Sequence, residues 1–112
     1  MAVYVSNILI EQGFDFSSSF ALGDSRTNSS LNITGYGVTA QLRKNPSSST
    51  SVSFTSTILD AEVGIIQLSL TDEQTLSLKP GRYVYDVEIT SAGGTVTRVI
   101  EGQLEVTPGV TQ

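Results

Sequence analysis

The side chains of this sequence that could do chemistry are mostly carboxylates. Asp86 and Glu88 stand two residues apart, and Glu101, Gln103 and Glu105 follow the same spacing. Residues two apart project from one face of a β-strand. Paired carboxylates can bind Ca²⁺ or carry out glycoside hydrolysis. Because no Asp-rich ligand loop accompanies them, we interpret these residues as the solvated face of two strands.

Nucleophilic catalysis has little support in the sequence. The chain contains no histidine and no cysteine, which excludes a triad with a histidine base, and no Gly-x-Ser-x-Gly elbow occurs. Lysine bases would be limited to Lys44 and Lys79, both beside predicted turns. The segment Asp60-Ala61-Glu62 is a further calcium candidate, although it is predicted mainly to turn the chain. We expect a protein that is not an enzyme and that carries no metal or cofactor.

Four tyrosines could instead form a stacking platform for sugars. Tyr36, Tyr83 and Tyr85 share strand parity with aliphatic residues, so we expect them to be buried with the hydroxyl group at a rim. Tyr4 shares parity with some aliphatic neighbours and not with others, which leaves its facing open. A carbohydrate-binding module therefore stays among the alternatives.

A predicted β-hairpin positions most of these residues. Pro80-Gly81 forms a turn, and a second turn is predicted over residues 91–94. Between and beyond these turns, apolar and polar residues alternate with the period of a half-buried strand. The buried face is predicted to comprise Tyr83, Tyr85, Val87 and Ile89 from one strand, and Val96, Ile100, Leu104 and Val106 from the other.

The remainder of the chain has the same period-two pattern. Loops are predicted over residues 23–35 and 45–51, with a turn after Asp60. Val3 and Val5 have the opposite parity to Ile8 and Ile10, which predicts a bulge or kink near Ser6 and Asn7. About seven strands with turns roughly every 8–12 residues predict an all-β, immunoglobulin-like antiparallel sandwich.

One helical turn interrupts the strands. Thr71 is predicted to cap it, and Gln74 stands three residues later, at the capping-box position. Leu76 and Leu78 are expected to pack under the sandwich before Pro80 ends the segment. This turn favours a sandwich over a closed barrel.

Length and charge limit the possible partners. The 112 residues predict one domain, residues 1–112, with an N-terminal edge strand at 1–10 and a C-terminal tail at 107–112. The net charge is -5, and the six basic residues are scattered, which disfavours nucleic acid as a partner. The sequence has no apolar run of about 18 residues, so no membrane span is predicted. The N-terminus lacks the pattern of a signal peptide, and we do not expect export by the general secretory route.

The stretch from Leu78 to Ile89 resembles the E–F corner of immunoglobulin and fibronectin type III domains. In those domains a leucine, a Pro-Gly turn and a nearby tyrosine form the tyrosine corner. Here the corner residues would be Leu78, Pro80, Gly81 and either Tyr83 or Tyr85. Tyr83 lies one residue closer to the glycine than the fibronectin pattern expects.

A wider resemblance covers about residues 8–106. The segments LNITGY (31–36), VTAQLRK (38–44), GIIQLSLT (64–71), PGRYVYDV (80–87) and TVTRVIEG (95–102) resemble small immunoglobulin-like domains of tailed-phage virion proteins. These include the N-terminal domain of baseplate upper-protein adaptors and the immunoglobulin-like capsid decoration proteins. The adaptors carry a long C-terminal extension, whereas this sequence ends six residues after Val106.

The resemblance implies a capsid decoration or cement protein that stabilises the shell by binding neighbouring coat subunits. Expected partners are the major capsid protein, other virion proteins or further copies of the chain. The expected location is the capsid or tail surface of the virion, with the protein made in the host cytoplasm. The alternative is a tail, neck or baseplate component, such as an adaptor for fibres. Contacts are expected from the N-terminal strand, the two loops and the tail. The predicted interface residues are Val3, Tyr4, Val5, Ile8, Arg26, Leu31, Arg43 and Lys44.

Overall fold

The computed structural model describes residues 4–24, 29–45 and 51–108. In these ranges two β-sheets face each other, accompanied by a small hairpin and one short helix. The elements are β1 (Tyr4–Val5), β2 (Ile8–Glu11), β3 (Phe16–Ala21), β4 (Gly23–Asp24), β5 (Ser29–Ser30), β6 (Gly37–Arg43), β7 (Val52–Ser53), β8 (Thr55–Asp60), β9 (Ile65–Leu70), α1 (Asp72–Leu76), β10 (Gly81–Thr90) and β11 (Val96–Thr107).

The two sheets have the strand order of an immunoglobulin-like sandwich. The six-stranded sheet runs β1–β11–β10–β6–β7, with β2 also paired to β11. The three-stranded sheet runs β3–β9–β8, and β4 pairs with β5 in the separate hairpin. In immunoglobulin terms these sheets correspond to A′GFCC′ and BED. The predicted all-β sandwich is confirmed. It is not antiparallel throughout, because β1 and β2 run parallel to β11.

The core lies between the inner faces of the two sheets. Its side chains alternate along each strand with exposed ones, as the period-two pattern predicts. In β9, for example, Ile66, Leu68 and Leu70 are buried, whereas the residues between them are half-exposed. The largest side chains that are almost fully buried include Ile10, Ile33, Leu42, Ile66, Leu68, Ile89, Ile100 and Leu104.

The predicted fourth strand is two strands in different sheets. β7 pairs with β6 in the six-stranded sheet, and β8 pairs with β9 in the three-stranded sheet. Phe54 lies at the crossing, where its N–H donates to the Ala40 carbonyl over 3.0 Å and its ring is buried. The ring contacts Phe16 and Tyr85, with both centroids 6.2 Å away, and so ties the two sheets together.

A β-bulge changes the parity of β11. Val87 pairs with Ile100, and Glu88 pairs with Arg98, so Val99 is an extra residue. Val99 and Ile100 are consequently both buried. Val96 was predicted to share the buried face of Ile100, and this prediction is wrong, because the bulge leaves Val96 57% exposed.

The N-terminal edge strand, defined here as residues 4–11, keeps one register against β11. Tyr4 pairs with Ile100 and Ile8 pairs with Leu104, the same offset on either side of residues 6 and 7. The predicted bulge near Ser6 and Asn7 is therefore wrong. Val5 faces outward together with Leu9, and Ile8 faces the core.

Helix α1 begins as the sequence predicts. The Thr71 hydroxyl accepts a hydrogen bond from the Gln74 N–H, and the Gln74 side chain accepts one from the Thr71 N–H. Leu78 is buried beneath the sandwich, but Leu76 is 50% exposed, contrary to expectation. The buried polar residue in this turn is Thr75, whose hydroxyl donates to the Phe14 carbonyl over 2.8 Å.

Candidate interaction surface

The corner after α1 fixes the start of β10. The Tyr83 hydroxyl donates to the Lys79 carbonyl over 2.8 Å, four residues back along the chain. This is the hydrogen bond of a tyrosine corner, so Tyr83 rather than Tyr85 closes it. Leu78 is buried in the core below, and the Lys44 ammonium lies 4.8 Å from the centroid of the Tyr83 ring.

The predicted corner also includes Pro80 and Gly81. Pro80 is exposed, and Gly81 opens β10 with a φ of 143°, in the region that favours glycine. A β-carbon at Gly81 would lie 3.1 Å from the Lys44 Nζ. The corner is therefore a compact structural unit.

Tyr85 instead contacts the N-terminal edge strand and holds it in place. Its ring is buried, and its hydroxyl donates to the Ser6 carbonyl over 2.5 Å. Burial raises the pKa of this hydroxyl above its ordinary value of 10.0. Opposite Tyr85 stands Gly102, where a β-carbon would lie 2.0 Å from the Ser6 oxygen. Only glycine admits this close approach, so Gly102 and Tyr85 together define a latch for the edge strand.

The solvent side of the six-stranded sheet, called the outer face below, carries a groove of about 510 Å³. A row of paired residues crosses it from strand to strand: Val5 pairs with Glu101, Glu101 with Asp86, and Asp86 with Gln41. Arg43, Val84, Glu88 and Arg98 complete its polar and aliphatic lining.

Charge in the groove is organised around Arg98. Its Nε lies 3.2 Å from the Asp86 Oδ2, and its Nη1 lies 3.7 Å from the Glu101 Oε2. The two carboxylates are directly opposed across β10 and β11, a placement that is repulsive without a cation. All three side chains are about one-third to one-half exposed, so the ion pairs contribute little stability and remain accessible.

A second, smaller groove of about 280 Å³ lies further along the outer face. Leu9 and Asn7 bound it on the edge strand, and Gln103, Glu105 and Arg82 bound it on β11 and β10. Leu9 is 60% exposed and Val5 is 74% exposed, which makes them the two most exposed of the large hydrophobic residues described. The outer face therefore has an aliphatic rim along its edge, beside an acidic row formed by Glu101 and Glu105.

The predicted interface residues differ in how accessible their side chains are. Val5, Arg43 and Lys44 are accessible, with Arg43 half-buried and its guanidinium donating to the Gln41 side chain over 3.0 Å. Ile8 is 8% exposed, and assigning it to an interface is wrong, because its side chain packs in the core. Leu31 is half-buried against that core. Val3 and Arg26 lie outside the described residues, and Tyr4 contributes its backbone to β1.

Among the expected contact elements, residues 25–28 and 46–50 of the two loops and residues 109–112 of the tail also lie outside the described part of the chain. Within the described ranges, no three Asp or Glu residues are close enough to hold a metal ion. No helix in those ranges is long and apolar enough to cross a membrane.

Leu9 and Gly102 are two residues of this surface that the sequence did not single out. Leu9 stands between two isoleucines, and a single apolar residue of the opposite parity was the available signal. Gly102 interrupts the apolar face of β11, and a glycine within a strand often marks a close backbone approach.

Comparison with known proteins identifies no family for this chain. No protein-family model matches the chain, and no curated protein matches it. An internalin-like protein of Listeria monocytogenes is similar over 93% of this chain and 28% of its own, with 21% identity and a TM-score of 0.48. A family 123 glycoside hydrolase from Clostridium perfringens is similar over 100% of this chain and 24% of its own, with 15% identity and a TM-score of 0.45. This chain thus spans about a quarter of the length of each of these two structures.

Proposed function

We propose that this domain is a structural binding module that attaches to other proteins through the outer face of its six-stranded sheet. The observation that carries the proposal is the placement of Val5 and Leu9, two widely exposed aliphatic side chains on one strand face beside two open grooves. Exposed aliphatic residues rimmed by polar groups are typical of interaction sites. The charged residues beside them would set the orientation of a partner.

The setting that we propose is the surface of a phage particle, where the domain would act as a capsid decoration or cement protein. This part rests on the sequence resemblance to immunoglobulin-like virion domains. Burying the outer face against neighbouring coat subunits would raise the free energy needed to separate them, because a bound partner stabilises the state to which it binds.

Heat treatment of particles tests this role. Particles that lack the protein are expected to assemble but to burst or leak at a lower temperature than particles that carry it. Equal heat resistance with and without the protein would contradict the cement role. Because the particle remains intact in both samples at low temperature, the assay separates shell stability from assembly.

Two alternatives predict different measurements. A tail, neck or baseplate component would be present in a small number of copies, in multiples of three or six, whereas a shell protein would be present in hundreds. A carbohydrate-binding module would use the larger groove, whose volume of about 510 Å³ falls within the range of small-ligand pockets. Of the four tyrosines considered for sugars, Tyr85 is buried, and Tyr36 and Tyr83 are partly buried against the core. A glycan array with the Tyr4→Ala variant tests the fourth.

A further inference from the structure

Among the described residues, one side of the backbone of the N-terminal edge strand is unpaired. The Ser6 N–H donates to the Glu101 carbonyl, and the Gln12 N–H donates to the Thr107 carbonyl. Because successive residues of a strand point their backbone groups to opposite sides, the N–H and C=O groups of Leu9 point away from β11. The strand order places no further strand on that side among the described residues.

This edge lacks the usual protection against pairing with other chains. Natural edge strands are commonly guarded by lysine, proline or a bulge. Residues 4–10 contain no charge and no proline, and their register against β11 has no bulge. Its outward side chains include Val5 and Leu9, so the edge offers both hydrogen-bonding groups and apolar surface.

The neighbouring strand gives the edge an acidic border. Glu101 pairs with Val5, and Glu105 pairs with Leu9, both on the outer face of β11. On the side away from the edge, Arg98 lies 3.7 Å from Glu101, and Arg82 stands opposite Glu105. Neighbouring strands lie about 4.8 Å apart, so a strand added beside Leu9 would lie about 10 Å from β11. A lysine or arginine on such a strand and Glu105 on β11 together bridge this distance, with the aliphatic stem of the basic residue against Leu9.

We infer that the N-terminal edge strand accepts an extended segment of a partner protein in which apolar and basic residues alternate. The inference rests on the proposed binding role of the outer face and names the partner chemistry. The basic residues would lie on the outer face, between the aliphatic rim and the glutamates. The apolar residues would cover the sandwich edge beside Ile8 and Ile10. A second copy of this chain fits less well, because its edge would bring a further Glu11 to an acidic border.

Synthetic peptides test this inference on the full-length chain. The probe is a capped eight-residue peptide in which valine and lysine alternate, and its counterpart alternates valine and glutamate. We expect the lysine peptide to bind and the glutamate peptide to bind at least tenfold more weakly. Hydrogen exchange with the bound lysine peptide is expected to slow at the Leu9 amide, which faces the free edge.

A matched pair of variants locates the binding. Leu9→Lys places a like charge on the edge and removes the aliphatic contact, and is expected to weaken lysine-peptide binding by about tenfold or more. Leu59→Lys is the control, since Leu59 has a similar exposure of 52% on β8, an edge strand of the other sheet. The control is expected to bind within about twofold of the unchanged chain.

Three results would overturn the inference: no binding of the lysine peptide, equal binding of the glutamate peptide, or equal loss in the two variants. None of these results would remove the proposed attachment through the outer face. That role is tested separately, by the position of the domain on the particle.

Discussion

Replacing Gly102 by alanine should release the N-terminal edge strand. The new β-carbon would lie 2.0 Å from the Ser6 oxygen and 2.8 Å from the Ser6 carbonyl carbon, whereas ordinary contacts begin at 3.4 Å. The Ser6 carbonyl must therefore retreat by 3.4 − 2.0 = 1.4 Å. The obstacle is backbone on both sides, so a change of side-chain rotamer cannot relieve it.

The expected loss of stability follows from the contacts that this shift breaks. Ser6 accepts from the Tyr85 hydroxyl over 2.5 Å and donates to the Glu101 carbonyl over 3.0 Å. Two hydrogen bonds at about 1 kcal/mol each, with about 1 kcal/mol of overpacking, give roughly 3 kcal/mol. For a chain of this length 1 kcal/mol corresponds to roughly 4 °C, so the Tm should fall by about 12 °C.

Urea denaturation and hydrogen exchange at the Ser6 amide measure the two parts of this prediction. Gly37→Ala is the matched control, because Gly37 is also a strand glycine but has nothing within 4 Å of its β-carbon position. It should be neutral or stabilising by up to about 1 kcal/mol. If Gly102→Ala cost no more than Gly37→Ala, or left exchange at Ser6 unchanged, the latch would be refuted.

Three further outcomes follow from the described contacts. The Tyr85 pKa is raised in the folded chain, so the stability that this group contributes is present below pH 10 and is lost as the pH rises through the folded pKa. Between pH 8 and 12, the free energy of unfolding should therefore decline more steeply for the unchanged chain than for Tyr85→Phe. Tyr83→Phe should lower the free energy of unfolding, measured by urea denaturation, by about 1 kcal/mol, because it removes the hydrogen bond to the Lys79 carbonyl. An unchanged free energy of unfolding would mean that this hydrogen bond does not stabilise the fold. Thr71→Ala should lower the free energy of unfolding by about 1 kcal/mol through the lost cap, whereas Thr71→Ser should restore most of it.

The sequence predicted the strands and the helix better than the pairing between strands. Alternation identified β6, β9 and β10, and the Thr71 capping box located α1, because these signals are local. Parallel pairing of the edge strand with β11 was not predictable, since alternation looks the same in parallel and antiparallel ladders. The division of the predicted fourth strand into β7 and β8 was not predicted either. Val52 and Phe54 share a parity, although the chain crosses from one sheet to the other between them.

The candidate surface was predictable only in part, for a related reason. Val5 was identified from its place in an apolar N-terminal strand, but Ile8 was assigned to the same interface although it faces the core. Deciding between them required the register against β11, which a single sequence does not contain. The facing of Val96 was mispredicted for the same reason. The extra residue at the Val99 bulge reverses which face of the sheet each earlier residue of β11 points to.

The most direct test of the central claim is a particle map in which this domain is located and its orientation is resolved. We expect the outer face of the six-stranded sheet, with Val5 and Leu9, to lie against a neighbouring protein subunit. We expect the three-stranded sheet to face away from that contact. A domain absent from the particle would contradict the virion setting, and one attached through the three-stranded sheet would contradict the assignment of the binding surface.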